Sequence, residues 1–305
     1  LLQKPDQIID VSSWLCESIY PVGAKPKRLL VSPETSPQSF IRPNRRYLYK
    51  IAYGWRCHQV WSEILAYALS MDCEIVVPRA YFAVNSEEQN SGVLVEWFGY
   101  RPREKYYQEL TSGHTLLSAY EPSYGAQRED RPHSLMTNIR ACDVAGCTRP
   151  LEWWTQAATF DALIGNTDRH PENWGLLRRV GDLSDARYRL SPIFDNGTSL
   201  GYEFSENNIS NVDIEAYVSK GCHHMTGDEK NQTQGHFDVI SELLNLYSKT
   251  GEEIYRIANS KRACFEQTLA VLPDFKVEPY FSRERAVLVS SIVDKRAAML
   301  LECLQ

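Results

Sequence analysis

The front of the chain alternates on a two-residue period. The runs "RLLV" at 28–31, "RYLYKIA" at 46–52, "RAYFAV" at 79–84 and "GVLVEW" at 92–97 are β-branched or aromatic. Pro, Gly and Asn bound them, which predicts four short strands. Between the second and third the period lengthens. In "CHQVWSEILAYALSM", Trp61, Leu65, Ala68 and Leu69 recur at helical spacing, predicting a helix with one apolar face that carries Glu63. Residues 100–150 are polar and rich in Gly, Pro and Arg, and predict loops with one or two short helices. The stretch "EWWTQAATFDALIGN" then sets Trp153, Ala157, Phe160 and Ile164 on one stripe, a buried helix ending near Gly165. After it, "WGLLRR" and "RYRLSPI" flank a turn with Gly181 and Asp182 and predict a hairpin. The rest is mostly helical: Phe237, Ile240, Leu244 and Tyr247 share one predicted face, and Val289, Ile292, Val293 and Leu300 another. A strand-rich front joined to a helix-rich back predicts an α+β chain of two lobes, residues 1–99 and 100–305. The cleft between them is the natural place for a ligand.

Composition narrows the class of partner. No segment approaches eighteen consecutive apolar residues, so a membrane span is not expected. The start, "LLQKPDQIID", lacks the basic-then-apolar layout of a secretory signal. A net charge of −6 argues against direct binding of nucleic acid, which is held by clustered Lys and Arg. Eight scattered cysteines without a C-x-x-C pair fit a reducing, cytoplasmic setting. Cys142 and Cys147 with His133, or Cys222 with His223 and His224, can be drawn as metal sets but lack paired ligand spacing.

The candidate chemistry begins at "LIGNTDRHPENW", residues 163–174, where a helix end gives way to a loop with Asp168 and Asn173. The following hairpin ends in "SPIFDNGTSLGYE" and returns Asp195 toward the start of that loop. Two carboxylates and one amide at one end of a cleft suit Mg²⁺, a hard cation held by oxygen donors and substrate phosphates. In the bland alternative the three residues cap turns. Lys50 shares a strand face with Leu48 and Ala52, opposite Tyr47, Tyr49 and Ile51, and there needs a partner, which Glu63 is placed to supply. Solubility at a sheet edge is the plainer account of that lysine. Upstream, "YPVGAKPKRLLV" carries Lys25 and Lys27 through a small-residue turn that could cover phosphates. A metal hydrolase using Asp168, His170 and Asp195 is weaker, because no second histidine pair accompanies D-x-H.

These residues together resemble the HipA-like serine/threonine kinases, which have a two-lobed protein kinase-like fold with a strand-rich N-lobe and a mostly helical C-lobe. The resemblance runs from about Val22 to Gly201 through "GAKPK", "YLYKI", "EILAYALSMDCEIVVPRA", "VLVEWFG", "GNTDRHPENWGLL" and "SPIFDNG". It implies ATP and Mg²⁺ as cofactors, Asp168 as catalytic base, and Asn173 and Asp195 as metal ligands. It further implies Lys50 on the ATP phosphates paired with Glu63, and Gly23, Ala24, Lys25 and Lys27 in the phosphate-facing loop. Glu96, Trp97 and Phe98 become the hinge that meets adenine through backbone groups, and His170 a brace of the catalytic loop. The implied function is phosphorylation of a Ser or Thr hydroxyl on a protein, as a toxin, effector or regulator, with an antitoxin or regulatory partner in view. Three features depart from the pattern. The stretch before Gly23 reads "SIYPVGAK", with only Ser18 near, so inhibitory autophosphorylation there is not expected. The extra N-terminal subdomain of long members is not evident. Finally, "DRHPENW" also resembles the catalytic loop of phosphoinositide kinases, which keeps a lipid or small-molecule kinase as the alternative. A nucleotide-binding module without turnover is the alternative of another class.

Overall fold

The structure is a computed structural model that describes residues 3–20, 27–36, 38–99, 107–125, 133–180, 188–227 and 234–305. The chain divides into two compact units, each assembled from separated segments. The first takes residues 1–97, 196–212 and 261–291, and the second 98–195, 213–260 and 292–305. The strand-rich front therefore includes two later segments that a contiguous division at residue 99 assigns to the back.

The first unit is built on a six-stranded sheet. Its strands are β1 (Ile9–Asp10), β2 (Leu15–Tyr20), β3 (Lys27–Val31), β4 (Arg46–Ile51), β5 (Ala80–Asn85) and β6 (Asn90–Glu96), in the order β1-β5-β6-β4-β3-β2. All neighbours are antiparallel except β1 and β5. Alternation sorts β4 as its sequence predicts. Tyr47 and Tyr49 enter a core with Ile9, Leu30, Phe40, Ile41, Tyr81 and Leu94. Lys50 leaves by the other face, in one row with Val93 and Phe82 across the antiparallel register. That second face is covered by α1 (Gln59–Asp72), whose Trp61 stacks on Phe82 at 4.7 Å with the rings nearly parallel. Phe275 and Phe281 meet Trp61 edge-on, and Trp61 Nε1 donates to the Pro279 carbonyl. Aromatic pairs of this kind add about 0.5–1.5 kcal/mol each beyond burial. Asp72 at the end of α1 accepts from the Cys264 and Phe265 N–H groups, both at 2.9 Å, and so caps the start of α9 (Ala263–Val271).

The second unit combines a three-stranded antiparallel sheet with helices. The sheet runs β10-β9-β7, from β7 (Tyr107–Ser112), β9 (Gly175–Val180) and β10 (Tyr188–Leu190). The hairpin is present, with Arg178 opposite Tyr188; its turn, with Gly181 and Asp182, lies outside the described residues. A two-residue parallel pair joins β8 (His133–Ser134) to β11 (Met225–Thr226). The helices are α2 (Gly113–Tyr120), α3 (Pro122–Gly125), α4 (Leu135–Val144), α5 (Pro150–Ile164), α6 (Ile214–Lys220), α7 (His236–Leu246) and α8 (Gly251–Ala258). The last helix, α10 (Arg283–Glu302), begins in the first unit's segment and ends in the second's. The helix α5 is the centre, with Trp154, Ala157, Phe160, Leu163 and Ile164 at zero exposure. Two expectations are corrected here. The 100–150 stretch contains the strand β7, held by β9 rather than by its own pattern. In α7 the buried face is His236, Val239, Ile240 and Leu243, not the stripe through Phe237, Leu244 and Tyr247, because a histidine occupies a core position. Among the described residues no helix is long and apolar enough to cross a membrane.

Candidate active site

The loop after α5 is shaped by a glycine and a buried acid. Gly165 adopts φ +70°, and a Cβ there would lie 2.8 Å from the Arg296 guanidinium, so only glycine fits without displacement. Arg296 itself donates to the Ala162 carbonyl at the C-terminus of α5, where carbonyl dipoles favour a cation. Asn166, wholly buried, bonds the Asp161 carboxylate through Nδ2 at 3.0 Å and accepts the Asp168 N–H at 3.1 Å. Its carbonyl lies 2.7 Å from His236 Nε2. The backbone on both sides of Asp168 is thus fixed while the Asp168 carboxylate stays about half exposed.

Arg169 organises the rest. It is fully buried and forms a two-pronged pair with Asp161, Nε to Oδ2 at 3.0 Å and Nη2 to Oδ1 at 2.7 Å. Its Nη1 donates to the Asn173 carbonyl at 2.9 Å and to the Phe194 carbonyl. One guanidinium therefore gathers the residue after Asp168, the carbonyl of Asn173 and the residue before Asp195. Burial alone would push the Asp161 carboxyl up; Arg169 and His223, whose Nε2 is 3.3 Å away, outweigh it and hold the acid below the ordinary carboxylate range. The Arg169 carbonyl in turn meets His133 Nε2 at 3.0 Å, and Asn138 donates to His133 Nδ1 at 2.7 Å. Burial, and then His224, hold His133 near 3, so the ring is neutral and donates through Nε2.

Asn173 is buried and donates through Nδ2 to the Asp168 carbonyl at 2.7 Å, which directs its Oδ1 elsewhere as an oxygen donor. Asp195 has φ +58°, a left-handed conformation uncommon outside glycine that aspartate tolerates better than most residues. His170 accepts the Glu172 N–H through Nδ1 and keeps Nε2 3.9 Å from Asp168 Oδ1. The second unit thus ties the backbone at Asp168, at Asn173 and at Phe194, the residue before Asp195, into one hydrogen-bonded assembly.

In the first unit, Lys50 Nζ is 2.5 Å from Glu63 Oε1, and both side chains are nearly buried. Glu63 Oε2 also accepts the Asn196 N–H at 3.3 Å. Neighbouring residues of α1 hold the same segment: Ser62 Oγ donates to the Ser199 carbonyl and Gln59 to Thr198 Oγ1. Lys27 stands directly opposite Lys50 in the β3–β4 register, so both leave the sheet on one face. Gly23, Ala24 and Lys25 lie outside the described residues. At the expected hinge, the Glu96 and Trp97 N–H groups are engaged by the Arg79 and Arg46 carbonyls. The Glu96 carboxylate faces Arg42 and Arg79. Phe98, in the second unit, lies 5.2 Å from the Phe194 ring. Among the described residues no three His, Cys, Asp or Glu side chains gather as a metal set. Cys142 and Cys147 instead close the last turn of α4, the Cys147 N–H bonding the Cys142 carbonyl.

Sequence reasoning left out Asp161, Asn166, Arg169 and His236, and drew His133 only into a metal set with Cys142 and Cys147. For Asp161 a signal existed: it is the one acid in the apolar run "AATFDALI". His133 and His236 reach the loop from distant segments, and nothing local marks them.

An α+β chain with this loop and turn belongs to the HipA-like family: the family described as HipA-like C-terminal domain matches residues 20–268. Among individual relatives, the chain is 29% identical over 90 residues to serine/threonine-protein kinase CtkA of Helicobacter pylori. That match covers 28% of this chain and 27% of the relative's own length. The crystal structure of a Helicobacter pylori proinflammatory kinase CtkA superposes with a TM-score of 0.72 at 18% identity, over 97% of this chain and 96% of that one. A Shewanella oneidensis toxin–antitoxin complex of HipA, HipB and operator DNA gives a TM-score of 0.58 at 14% identity, over 97% and 68%. These likenesses establish the fold.

Proposed function

We propose that the protein is an ATP- and Mg²⁺-dependent kinase that transfers the γ-phosphate to a Ser or Thr hydroxyl of a protein, on a two-lobed protein kinase-like fold. The observation that carries this reading is the Arg169 clamp, which ties the backbone beside Asp168, Asn173 and Asp195 into one unit. A carboxylate and an amide oxygen are hard donors of the kind Mg²⁺ takes, and Asn173 is oriented by its bond to Asp168. Asn173 and Asp195 would hold the ion, which would supply charge neutralisation at the ATP phosphates. Asp168, half exposed on a rigid backbone, accepts the proton of the substrate hydroxyl. Lys50, held by Glu63, would supply the cation for the phosphates. The name of the Helicobacter relative supports the serine/threonine acceptor. The Shewanella complex makes an antitoxin-like protein the class of regulatory partner to look for. The eight cysteines, all free thiols, support a reducing cytosol as the place of action, bacterial or host.

Purified protein given labelled ATP, Mg²⁺ and cell extract is expected to label protein. Asp168→Ala should lower transfer by about 10²-fold or more, the loss typical of a removed general base. Transfer untouched by that change defeats the assignment. Label appearing in the lipid pool instead replaces the protein acceptor with a lipid one.

A further inference from the structure

The segment that follows Asp195 is gathered onto a second buried guanidinium. Arg285, in the first turn of α10 and 1% exposed, donates from Nε to Glu206 Oε1 at 2.5 Å. Its Nη2 donates to the Phe204 carbonyl at 2.5 Å and its Nη1 to the Gly201 carbonyl at 3.4 Å. Ser282 Oγ accepts the Arg285 N–H at 2.9 Å and so fixes the helix start from which this side chain reaches. Leu200 and Gly201, at φ +57° and +69°, fold the chain back into the clamp. On the other side stands His58, which immediately precedes α1; its Nε2 is 3.9 Å from Glu206 Oε1. Glu206 Oε2 and His58 Nδ1 are buried with no hydrogen-bond partner among the described residues. An unpaired buried carboxylate oxygen is costly, and the guanidinium on the other oxygen offsets it.

A phosphate newly attached to a loop orders it by pairing with arginine, and switched kinases use this. Here the anion that meets the arginine is an encoded glutamate. We propose that Arg285 and Glu206 are positioning residues that keep segment 200–206 ordered by an encoded charge, so that the site beginning at Asp195 works without phosphorylation of that segment. The catalytic consequence rests on the kinase reading; the ordering does not. Because His58 adjoins the same carboxylate, the clamp also meets the start of the helix that carries Glu63.

The test is hydrogen–deuterium exchange on the full chain, before and after phosphatase treatment, alongside transfer kinetics. In the wild type, amides 200–206 should exchange slowly and identically with and without phosphatase. Glu206→Gln, which removes a charge from a partly exposed side chain, should speed their exchange about tenfold or more, the scale of a lost charge-assisted bond. Its kcat should fall roughly tenfold or more through misplacement, with KM for ATP within about threefold. Glu206→Asp should recover part of both losses. Arg285→Lys keeps the charge but not the fork, and should resemble Glu206→Gln; if it fails to fold, Glu206→Gln decides. The proposal is overturned by unchanged exchange in Glu206→Gln. It is equally overturned by order that depends on phosphate at Tyr202, Ser205 or Ser210, or by lost order with unchanged kcat. Should the wild type transfer no phosphate to any acceptor, the kinase reading falls, and exchange alone upholds or overturns the encoded clamp.

Discussion

Asp161 and Asp168 lie on one short stretch of chain and are prepared in opposite ways. Asp161 has no exposure and meets Arg169 through both oxygens, whereas the Asp168 carboxylate is about half exposed on a backbone held by Asn166 and Asn173. Removing the first leaves a buried guanidinium without its counter-charge. Asp161→Asn is therefore expected to lower unfolding stability by about 3–5 kcal/mol, measured by denaturant titration. Asp168→Asn should change it by less than about 0.5 kcal/mol, as expected for an exposed side chain. The two measurements separate a residue that builds the loop from the one proposed as its base. The second was read from sequence because its signal is a short polar run, whereas the first shows only as a single acid in an apolar run. Arg169 sits inside the same run, yet nothing in "DRH" says that its side chain turns inward to meet an acid eight residues back.

At the scale of elements, the sequence pattern located β3 to β6, α1, α5 and the hairpin, since each has its own periodicity. It missed β1, two residues long, β2, and β7, whose "YQELTS" has little apolar alternation and is a strand because β9 pairs with it. It mis-phased α7 because hydrophobic periodicity cannot see a polar core residue such as His236, which faces the Asn166 and Gly221 carbonyls. The end of α5 offers a direct test. Gly165→Ala places a side chain in a left-handed conformation against Arg296. Far-UV circular dichroism melts should show destabilisation of about 1–2 kcal/mol, and any transfer activity should fall with it, because the same turn launches the loop that carries Asp168.

The whole molecule carries an acid sensitivity that follows from its buried rings. Burial, together with Arg285 for His58, His224 for His133 and Arg296 for His236, lowers these histidines from 6.5 to about 4, about 3 and about 3. Between 6.5 and those values the unfolded chain binds more protons than the native one, so stability is full above pH 6.5 and falls as the pH drops. Asp161 acts in the same direction but only below about pH 4, where its unfolded form takes up a proton that the native pair with Arg169 refuses. Urea titrations at pH 7.5, 6 and 5 should show a steady loss. His133→Gln should be less stable at pH 7.5 yet have a shallower slope, by up to about 1.4 kcal/mol per pH unit.

The first unit draws on three separated stretches, and this governs its synthesis. Lys50, Glu63 and the strands that carry them leave the ribosome early, but Cys264 and Phe265, which Asp72 caps, and Phe275 and Phe281, which seal Trp61, emerge near the end. Until then Trp61 lacks the rings that seal it and Asp72 the N–H groups it caps. A nascent chain stalled before residue 261 should be cut readily by protease and held by chaperones, and one stalled past residue 291 should resist both.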